Sequence, residues 1–253
     1  MPDKSEPMTN FKATIAYDGG AYVGWQRQAN GISVQQRVEE VLARIHKQQK
    51  MVVHGAGRTD AGVHALGMVA SFHASKRHGT AYLLRALNAL LPEDIRVLRI
   101  QKVSEKFHAR FSARRKLYRY RIYHAPVADP LRRQQVWFVH KSLDIAAMRA
   151  AARAFVGKQD FSSVAVNPGY ERTTMVRHVR RCVVLRRGDE IHIEMEADGF
   201  LYKMVRSIAG TLVEVGTGKR TAESVRGMLK AKQRQQGGVV APAHGLCLVR
   251  VRY

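Results

Sequence analysis

The chain has 253 residues, and 43 lysines and arginines against 20 aspartates and glutamates give it a formal net charge of +23. Hydrophobic residues make up 45% of the sequence, which excludes a disordered chain, and this length lets one or two domains bury about three-quarters of the unfolded surface. A positive excess of this size favours a polyanionic partner such as nucleic acid, with acidic membrane lipid as the competing polyanion.

The predicted elements of the first half alternate between strands and helices. Ser33 and Gln36 form a capping box that starts a helix with one apolar face. A second helix is expected over residues 81–91. Apolar patterns predict four strands, at residues 11–17, 51–54, 66–72 and 95–103. Residues 1–10 are polar, and we expect them to be flexible.

The second half predicts a similar order of elements. Strands are expected at residues 117–123, 176–185, 191–197 and at the C-terminal end, and helices at residues 143–155, 201–212 and 221–236. One face of the strand 191–197 carries charged or polar residues, which we expect to be solvated: Glu190, His192, Glu194 and Glu196. Two similar α+β halves, joined near residues 105–112, are the simplest architecture for this order.

The sequence predicts neither a membrane span nor a secreted protein. Charged residues interrupt every longer apolar stretch, and the N-terminal MPDKSEPMTN lacks the apolar core of a secretion signal. Both features favour a reducing cytoplasm. Cys182 and Cys247 lie far apart in β-like apolar patterns, so we expect buried free thiols and neither a disulfide nor a metal site.

Positive charge is concentrated in two segments. Residues 106–133 hold nine lysines or arginines and one acid, Asp129, and residues 172–187 hold six arginines and no acid. Aromatic residues are interleaved with these charges, as at Tyr118 and Tyr120. Arginine binds phosphate and aromatic rings stack on bases, so this pattern favours a nucleic-acid interface, RNA or DNA, over a solvated basic face.

The segment best suited to chemistry is GAGRTDAGVHA, which starts at Gly55. Its glycines permit a tight backbone path between two strands. In an extended segment side chains two residues apart project to the same side, so Arg58 and Asp60 would point together into a cleft. An ionised, positioned aspartate is a nucleophile or a general base, whereas a metal centre needs more ligands than this segment has. A purely structural turn is the alternative interpretation.

Within this segment, GRTDAGVH at residues 57–64 resembles the signature of the TruA family of tRNA pseudouridine synthases. The resemblance extends from residue 11 to the C-terminal end. Further similar motifs follow in chain order: YDG at 17–19, GWQRQ at 24–28, FHARFSA at 107–113, YRY at 118–120, GFLYKMVR at 199–206, Gly210 and Gly245-Leu246.

The resemblance implies isomerisation of uridine to pseudouridine in the anticodon stem-loop, at positions 38–40 of tRNA, without a cofactor or metal. It also implies a homodimer in which one tRNA touches both subunits. The predicted fold is α+β, with two similar halves that share an extended, mainly antiparallel sheet, helices packed on it and an active-site cleft between them. Residues 11–105 would form the N-terminal half with the catalytic loop, and residues 106–253 the half with the basic segments and helix 221–236.

By resemblance Asp60 is the nucleophile, attacking either C1′ of the ribose or C6 of the base, and the target nucleotide is flipped out of its stack. Tyr118 would stack on the flipped base and could remove the C5 proton. Arg206 would pair with Asp60, where small neighbours such as Gly210 leave room for the guanidinium. Arg58 would fill the vacated stack, and Leu246 would form a wall of the base pocket. A core tyrosine, a surface arginine and a packing leucine are the respective structural alternatives.

Other RNA contacts are expected at His78 and in two segments: Phe107, His108, Ala109, Arg110 and Phe111, and Pro168, Gly169, Tyr170, Glu171 and Arg172. The sequence VGTGK at 215–219 is similar to a phosphate-binding loop but has Val213 and Arg220 where glycine and serine or threonine belong, which indicates a helix end. A non-catalytic RNA-binding or assembly protein and a metal-dependent nuclease are the alternative functions.

Overall fold

A computed structural model of the chain describes residues 8–75, 77–167, 169 and 174–253. The chain divides into two compact units. Unit 1 contains the residues up to Arg114 together with Leu248–Tyr253, and unit 2 contains Arg115–Cys247. Unit 1 therefore includes residues 106–114 and 248–253, which the sequence analysis assigns to the C-terminal half. Both assignments depend on long-range contacts that local patterns do not show. Residues 1–7 of the predicted flexible N-terminus lie outside the described residues, and Met8 already belongs to a strand.

Unit 1 is built on antiparallel strands. β1 (Met8–Tyr17) lies between β3 (His64–Ser75) and β4 (Ile95–Lys102). β10 (Leu246–Arg252), which belongs to unit 1 from Leu248 onwards, lies beside β3. The short β2 (His54–Gly55) pairs with β3. The predicted strand at 51–54 is therefore mostly irregular. Residues 51 and 53 are buried, which produces the alternating pattern. The backbone nevertheless forms no strand before residue 54.

Two helices accompany these strands, as the sequence predicts. α1 (Val34–His46) begins at Ser33, whose hydroxyl accepts the backbone N–H of Gln36 at 3.2 Å. Its apolar side chains at 34, 38 and 42 are fully buried. α2 (Thr80–Leu90) packs against β4 through buried leucines and lies within one residue of its predicted bounds.

Unit 2 has a second antiparallel set of strands. β5 (Arg115–Tyr123), β9 (Glu190–Ala197), β8 (Val176–Arg187) and β7 (Gly157–Asp160) lie side by side in that order. The two-residue β6 (Trp137–Phe138) pairs with β5 in parallel. The predicted α+β class with mainly antiparallel strands is confirmed.

Three helices complete unit 2: α3 (Ile145–Ala152), α4 (Met204–Gly216) and α5 (Ala222–Ala231). α5 ends earlier than the predicted residue 236, because Lys232 adopts the left-handed conformation with φ of 53°. α3 is followed by a 3-10 turn, so its predicted last residues are helical in a tighter form. Eleven of the thirteen residues of α4 are buried, which makes it the core helix of the unit. Within the described residues, no helix has both the length and the apolar character that crossing a membrane requires.

The charged face of β9 is not solvated, and that prediction is wrong. Glu194 is only 7% exposed because it lies between two arginines, 2.8 Å from Arg119 of β5 and 3.0 Å from Arg181 of β8. Glu190 binds Arg121 of β5 at 2.7 Å. Pairing across the strands satisfies the carboxylates and lets them leave solvent.

These ion pairs also change the interpretation of the basic segment 106–133. At least four of its nine cations are bound to carboxylates of this unit: Arg115, Arg119, Arg121 and Arg132. Part of the positive charge that suggested a nucleic-acid interface therefore stabilises the sheet itself.

Candidate active site

The loop that joins β2 to β3, residues 56–63, is held by the chain that follows β1. The backbone N–H of Trp25 donates to the carbonyl of Thr59 at 3.2 Å. Gly24 has a φ of +103°, and a Cβ at this position would lie 2.3 Å from the Thr59 oxygen. A side chain at residue 24 would therefore both strain the backbone and push the loop away. The backbone next to Asp60 is thus positioned by direct contact with glycine.

Exposure alternates along residues 58–60 of this loop. Thr59 is buried, with its hydroxyl 2.9 Å from the hydroxyl of Tyr17. Arg58 is exposed and donates from Nε to the side chain of Gln26, and Asp60 is half-buried. The alternation agrees with an extended segment in which the arginine and the aspartate project away from the buried threonine.

The turn at residues 107–111 is anchored to the sheet of unit 1. The N–H of Ala109 donates to the hydroxyl of Ser71 at 3.1 Å, and the hydroxyl of Tyr253 donates to the Ala109 carbonyl at 2.8 Å. Lys12 lies over the ring of Phe107 at 5.7 Å. Ala109 is fully buried, so it supports the turn from beneath, whereas its neighbours in the turn reach the surface.

His108 organises the exposed part of this turn. Its Nδ1 accepts the N–H groups of Arg110 and Phe111 at 3.1 and 3.4 Å, which places the neutral ring's proton on Nε2. Burial lowers the pKa of His108, and the nearby charges of His54 and Arg110 lower it further. The lowered pKa favours the neutral ring, in which Nδ1 can accept both hydrogen bonds.

His78, the other predicted RNA contact of unit 1, stacks on Tyr82 with ring centroids 4.6 Å apart. The ring of His46 approaches the ring of His78 edge-on, with centroids 5.0 Å apart. In the predicted loop 168–172, only Gly169 is described, with a φ of +84° and its N–H donating to Asn167 at 2.9 Å. Pro168, Tyr170, Glu171 and Arg172 lie outside the described residues.

In unit 2, Tyr118 lies on the buried face of β5, as the strand alternation predicts. It is 7% exposed, and its ring meets the ring of Phe200 edge-on, with centroids 5.1 Å apart. Sequence reasoning did not identify Phe200 as a partner, although it lies in the GFLYKMVR motif. Edge-on geometry of this kind is a favourable contact between aromatic rings.

Arg206 lies near the start of α4 and is half-buried. Its Nε donates to the carbonyl of Ala241 at 2.8 Å, and the N–H of Ala241 donates to the Arg206 carbonyl at 3.1 Å. The sequence analysis expected Gly210 to leave room for the guanidinium, but the structure does not show this. A Cβ there would lie 1.9 Å from the carbonyl oxygen of Val239, so the glycine instead allows this segment to lie against the helix.

Tyr120 is a member of this group that sequence reasoning missed. Its hydroxyl donates to the carbonyl of Pro242 at 2.8 Å, and burial raises its pKa although the nearby charge of Arg206 opposes the rise. A Cβ on Gly245 would lie 2.6 Å from the Tyr120 ring, so the glycine of the Gly245-Leu246 pair is required for packing. Leu246 itself is 6% exposed. The available signal was the position of Tyr120 on the same strand face as Tyr118.

The structure therefore groups the predicted residues within each unit. Arg58 and Asp60 share one loop of unit 1, whereas buried Tyr118 and Leu246 and half-buried Arg206 belong to unit 2. The approach of Arg206 to Asp60 stays a prediction.

Two other features take structural roles. The predicted helix end at 215–219 is confirmed, because α4 ends at Gly216 and Gly218 follows with a φ of +74°. Cys182 and Cys247 are free thiols, and burial raises the pKa of Cys182 to about 12. Cys182 is buried as predicted, whereas Cys247 is half-buried. The part of the chain that the structure describes has no cluster of three or more metal-ligating side chains.

Comparison with known proteins places these residues in a family context. A family model described as tRNA pseudouridine synthase matches residues 13–112 and 151–253. The chain is 42% identical over 245 residues to tRNA pseudouridine synthase A 1 of Protochlamydia amoebophila, and the alignment covers 96% of each chain. It is 45% identical over 247 residues to tRNA pseudouridine synthase A of Citrifermentans bemidjiense, covering 97% of this chain and 98% of that relative. The corresponding protein of Syntrophotalea carbinolica is 45% identical over 246 residues, with 97% of each chain covered.

Proposed function

Because the chain belongs to the tRNA pseudouridine synthase family, we propose that it acts on the anticodon stem-loop of tRNA, at positions 38–40, with Asp60 as the nucleophile. The general activity follows from the family itself. The protein is an isomerase that converts uridine to pseudouridine in tRNA. The proposal concerns the site of modification and the groups that perform it.

The observation that carries the proposal is the position of Asp60. The loop backbone is packed against Gly24, and the carboxylate is half-buried beside an exposed arginine, Arg58. A carboxylate so positioned can attack carbon without first reorganising its loop. In the reaction the bond from C1′ to N1 breaks and the bond from C1′ to C5 forms. The proton lost from C5 is balanced by one gained at N1, so the isomerisation needs no cofactor. Attack at C1′ and attack at C6 both remain in the proposal.

Residues of unit 2 would hold the base and the carboxylate. Tyr118, which contacts Phe200 edge-on, would stack on the uracil and is a candidate to remove the C5 proton. Arg206 would pair with Asp60, and its hydrogen bond to Ala241 sets the direction of its side chain. Leu246 would form an apolar wall for the base. These roles need the two sets of residues to meet around one nucleotide.

A uridine stacked in RNA cannot reach Asp60, so the nucleotide must leave the stack at a cost of a few kcal/mol. Arg58 is exposed and linked to Gln26, and we assign it the place of the extruded base together with a contact to a phosphate. His78 and the 107–111 turn would make further contacts with the RNA. A homodimer in which one tRNA touches both subunits, and a cytoplasmic location, also belong to the proposal.

Asp60→Asn tests the proposal. The variant keeps the shape of the side chain but removes the nucleophile, and we expect no release of tritium from tRNA that contains [5-³H]uridine, with tRNA affinity within about tenfold of the wild type. Asp189→Asn, at an exposed turn, is the control for loss of one carboxylate and should retain activity. An Asp60→Asn enzyme that still forms pseudouridine would refute the nucleophile.

The alternative functions give different results in the same experiment. A non-catalytic RNA-binding protein would release no tritium even as the wild type. A metal-dependent nuclease would cut the tRNA and lose activity in a chelator. Mapping pseudouridine in tRNA from cells that lack the protein tests the anticodon positions. If the proposal holds, pseudouridine is absent at positions 38–40 in these cells.

A further inference from the structure

Unit 1 carries a continuous group of rings, two exposed and one half-buried, outside the proposed nucleotide pocket. The ring of His54 lies 4.8 Å from that of His108, which lies 4.5 Å from the ring of Phe111. The guanidinium of Arg110 lies 5.5 Å from the centre of the Phe111 ring. Phe111 is 76% exposed, and His54 is exposed as well. We call these four residues the ring cluster.

The ring cluster is attached to the loop that carries Asp60. His54 opens β2, and the loop follows β2 directly. Across the sheet His54 pairs with Ser71 of β3, whose hydroxyl accepts the N–H of Ala109 in the 107–111 turn. The same serine therefore joins the turn and the start of the loop. All of these contacts lie within unit 1.

A core role does not explain these side chains. Phe111 keeps three-quarters of its surface in water, so it adds little hydrophobic stabilisation. The guanidinium of Arg110 beside the Phe111 ring is a permanent cation, so the surroundings suit an anionic partner. Exposed rings next to a guanidinium are the combination that binds bases and phosphates of unpaired RNA.

We propose that His54, His108 and Phe111 form a stacking surface for one unpaired nucleobase of the tRNA, and that Arg110 binds its adjacent phosphate. The inference rests on the proposed function, because it takes RNA with an unpaired loop as the substrate. A paired base hides its faces within the helix, so only a base outside the stack can use this surface. The contact predicted for the 107–111 turn thereby extends to His54 and so to the strand that leads into the catalytic loop. A second nucleotide held there would fix the RNA relative to Asp60.

The test combines protein variants with abasic RNA. Stem-loop RNAs are prepared with each loop base removed in turn, and affinity is measured for the wild type, His54→Ala, Phe111→Ala and Phe111→Tyr. We expect Phe111→Ala to weaken binding of intact RNA at least about tenfold and Phe111→Tyr to restore it, because tyrosine also stacks. The loss should disappear for one abasic position, at which the stacked base is missing. His54→Ala should weaken binding of intact RNA less than Phe111→Ala does, and this loss of affinity should disappear at the same abasic position.

His73→Ala is the matched control, because His73 is an exposed histidine of the same unit that contacts Glu105 and lies outside the ring cluster. It should bind every RNA like the wild type. Thermal unfolding of each variant checks that the fold is intact. Equal affinity of Phe111→Ala and the wild type, or a loss of the same size for all abasic RNAs, would overturn the inference.

The result is separable from the test of the proposed function. Affinity for abasic RNAs does not require turnover, so it can be measured in the Asp60→Asn background. If wild-type enzyme forms pseudouridine but no abasic position removes the effect of Phe111→Ala, only the stacking surface is wrong. If Asp60→Asn retains activity while the base-specific loss persists, only the nucleophile is wrong.

Discussion

Gly24 contributes to the candidate site although it carries no side chain. Alanine at this position would require a φ of +103° and would place its Cβ 2.3 Å from the Thr59 oxygen. We expect Gly24→Ala to displace the loop that bears Asp60 and to reduce turnover by about 10²-fold, since misplacement of a catalytic group by about 1 Å has effects of that size. Tritium release under single-turnover conditions measures the loss.

Gly157 supplies the control for backbone strain. Its φ is +120°, but a Cβ there meets no described atom within 4 Å. Gly157→Ala should therefore lower the free energy of unfolding by about 1–2 kcal/mol without affecting turnover. If Gly24→Ala turned over like the wild type, the close contact with Thr59 would have no role in positioning the nucleophile.

Two glycines of unit 2 lie in motifs of the predicted site, but the structure explains them by packing. Gly245 and Gly210 belong to motifs that resemble the family, yet each is explained by a close contact, with the ring of Tyr120 and with the carbonyl of Val239. Arg206 is in turn held by the carbonyl of Ala241. A glycine in a functional motif can therefore mark the backbone that a functional side chain needs.

At the scale of elements, the carboxylates of β9 join β5 and β8. Hydrogen bonds from Arg121 lower the pKa of Glu190 to about 2, with a further contribution from His192, although burial opposes the shift. The lowered pKa makes ionised Glu190 stabilise the fold above its unfolded pKa near 4.5, and this contribution is lost as pH falls from 4.5 towards 2. Glu190→Gln should lower the free energy of unfolding by about 1–3 kcal/mol at pH 7.

Urea unfolding of the wild type and Glu190→Gln between pH 7 and pH 3 measures this difference, which should shrink below pH 4.5. Glu40→Gln is the matched control, because Glu40 pairs with Arg37 on the exposed side of α1 and should contribute less than about 1 kcal/mol. A difference that stays constant down to pH 3 would show that the carboxylate is not the source of the stabilisation.

For the whole molecule, the net charge of +23 predicts salt-dependent binding of tRNA. If six or more phosphates are contacted, affinity should fall by at least about 10³-fold between 50 and 200 mM salt. The ion pairs determine which cations contribute. Arg110→Gln should reduce the salt slope by about one, whereas Arg119→Gln should leave it unchanged, because Arg119 is bound to Glu194. An affinity that is flat with salt would contradict a phosphate-binding surface.

The sequence by itself predicted most of the elements and the general reaction. Alternation and capping are local properties, so they located β1, α1 and most other elements within a few residues. The glycine-rich segment identified Asp60 with its neighbour Arg58, because functional groups two residues apart in an extended segment share a side. The resemblance of this segment to a family then indicated the reaction, which cannot be inferred from composition alone.

Tertiary structure decided what depends on residues distant in the chain. The return of β10 to unit 1 sets the division of the chain, and no local pattern marks it. The burial of Glu194 depends on arginines of two neighbouring strands, so alternation along β9 correctly separated its faces but assigned the charged one to solvent. The contact of His54 with His108 joins residues 54 positions apart, because strand pairing brings them together. Close approach in space is a property of the folded chain, whereas periodicity is a property of the sequence.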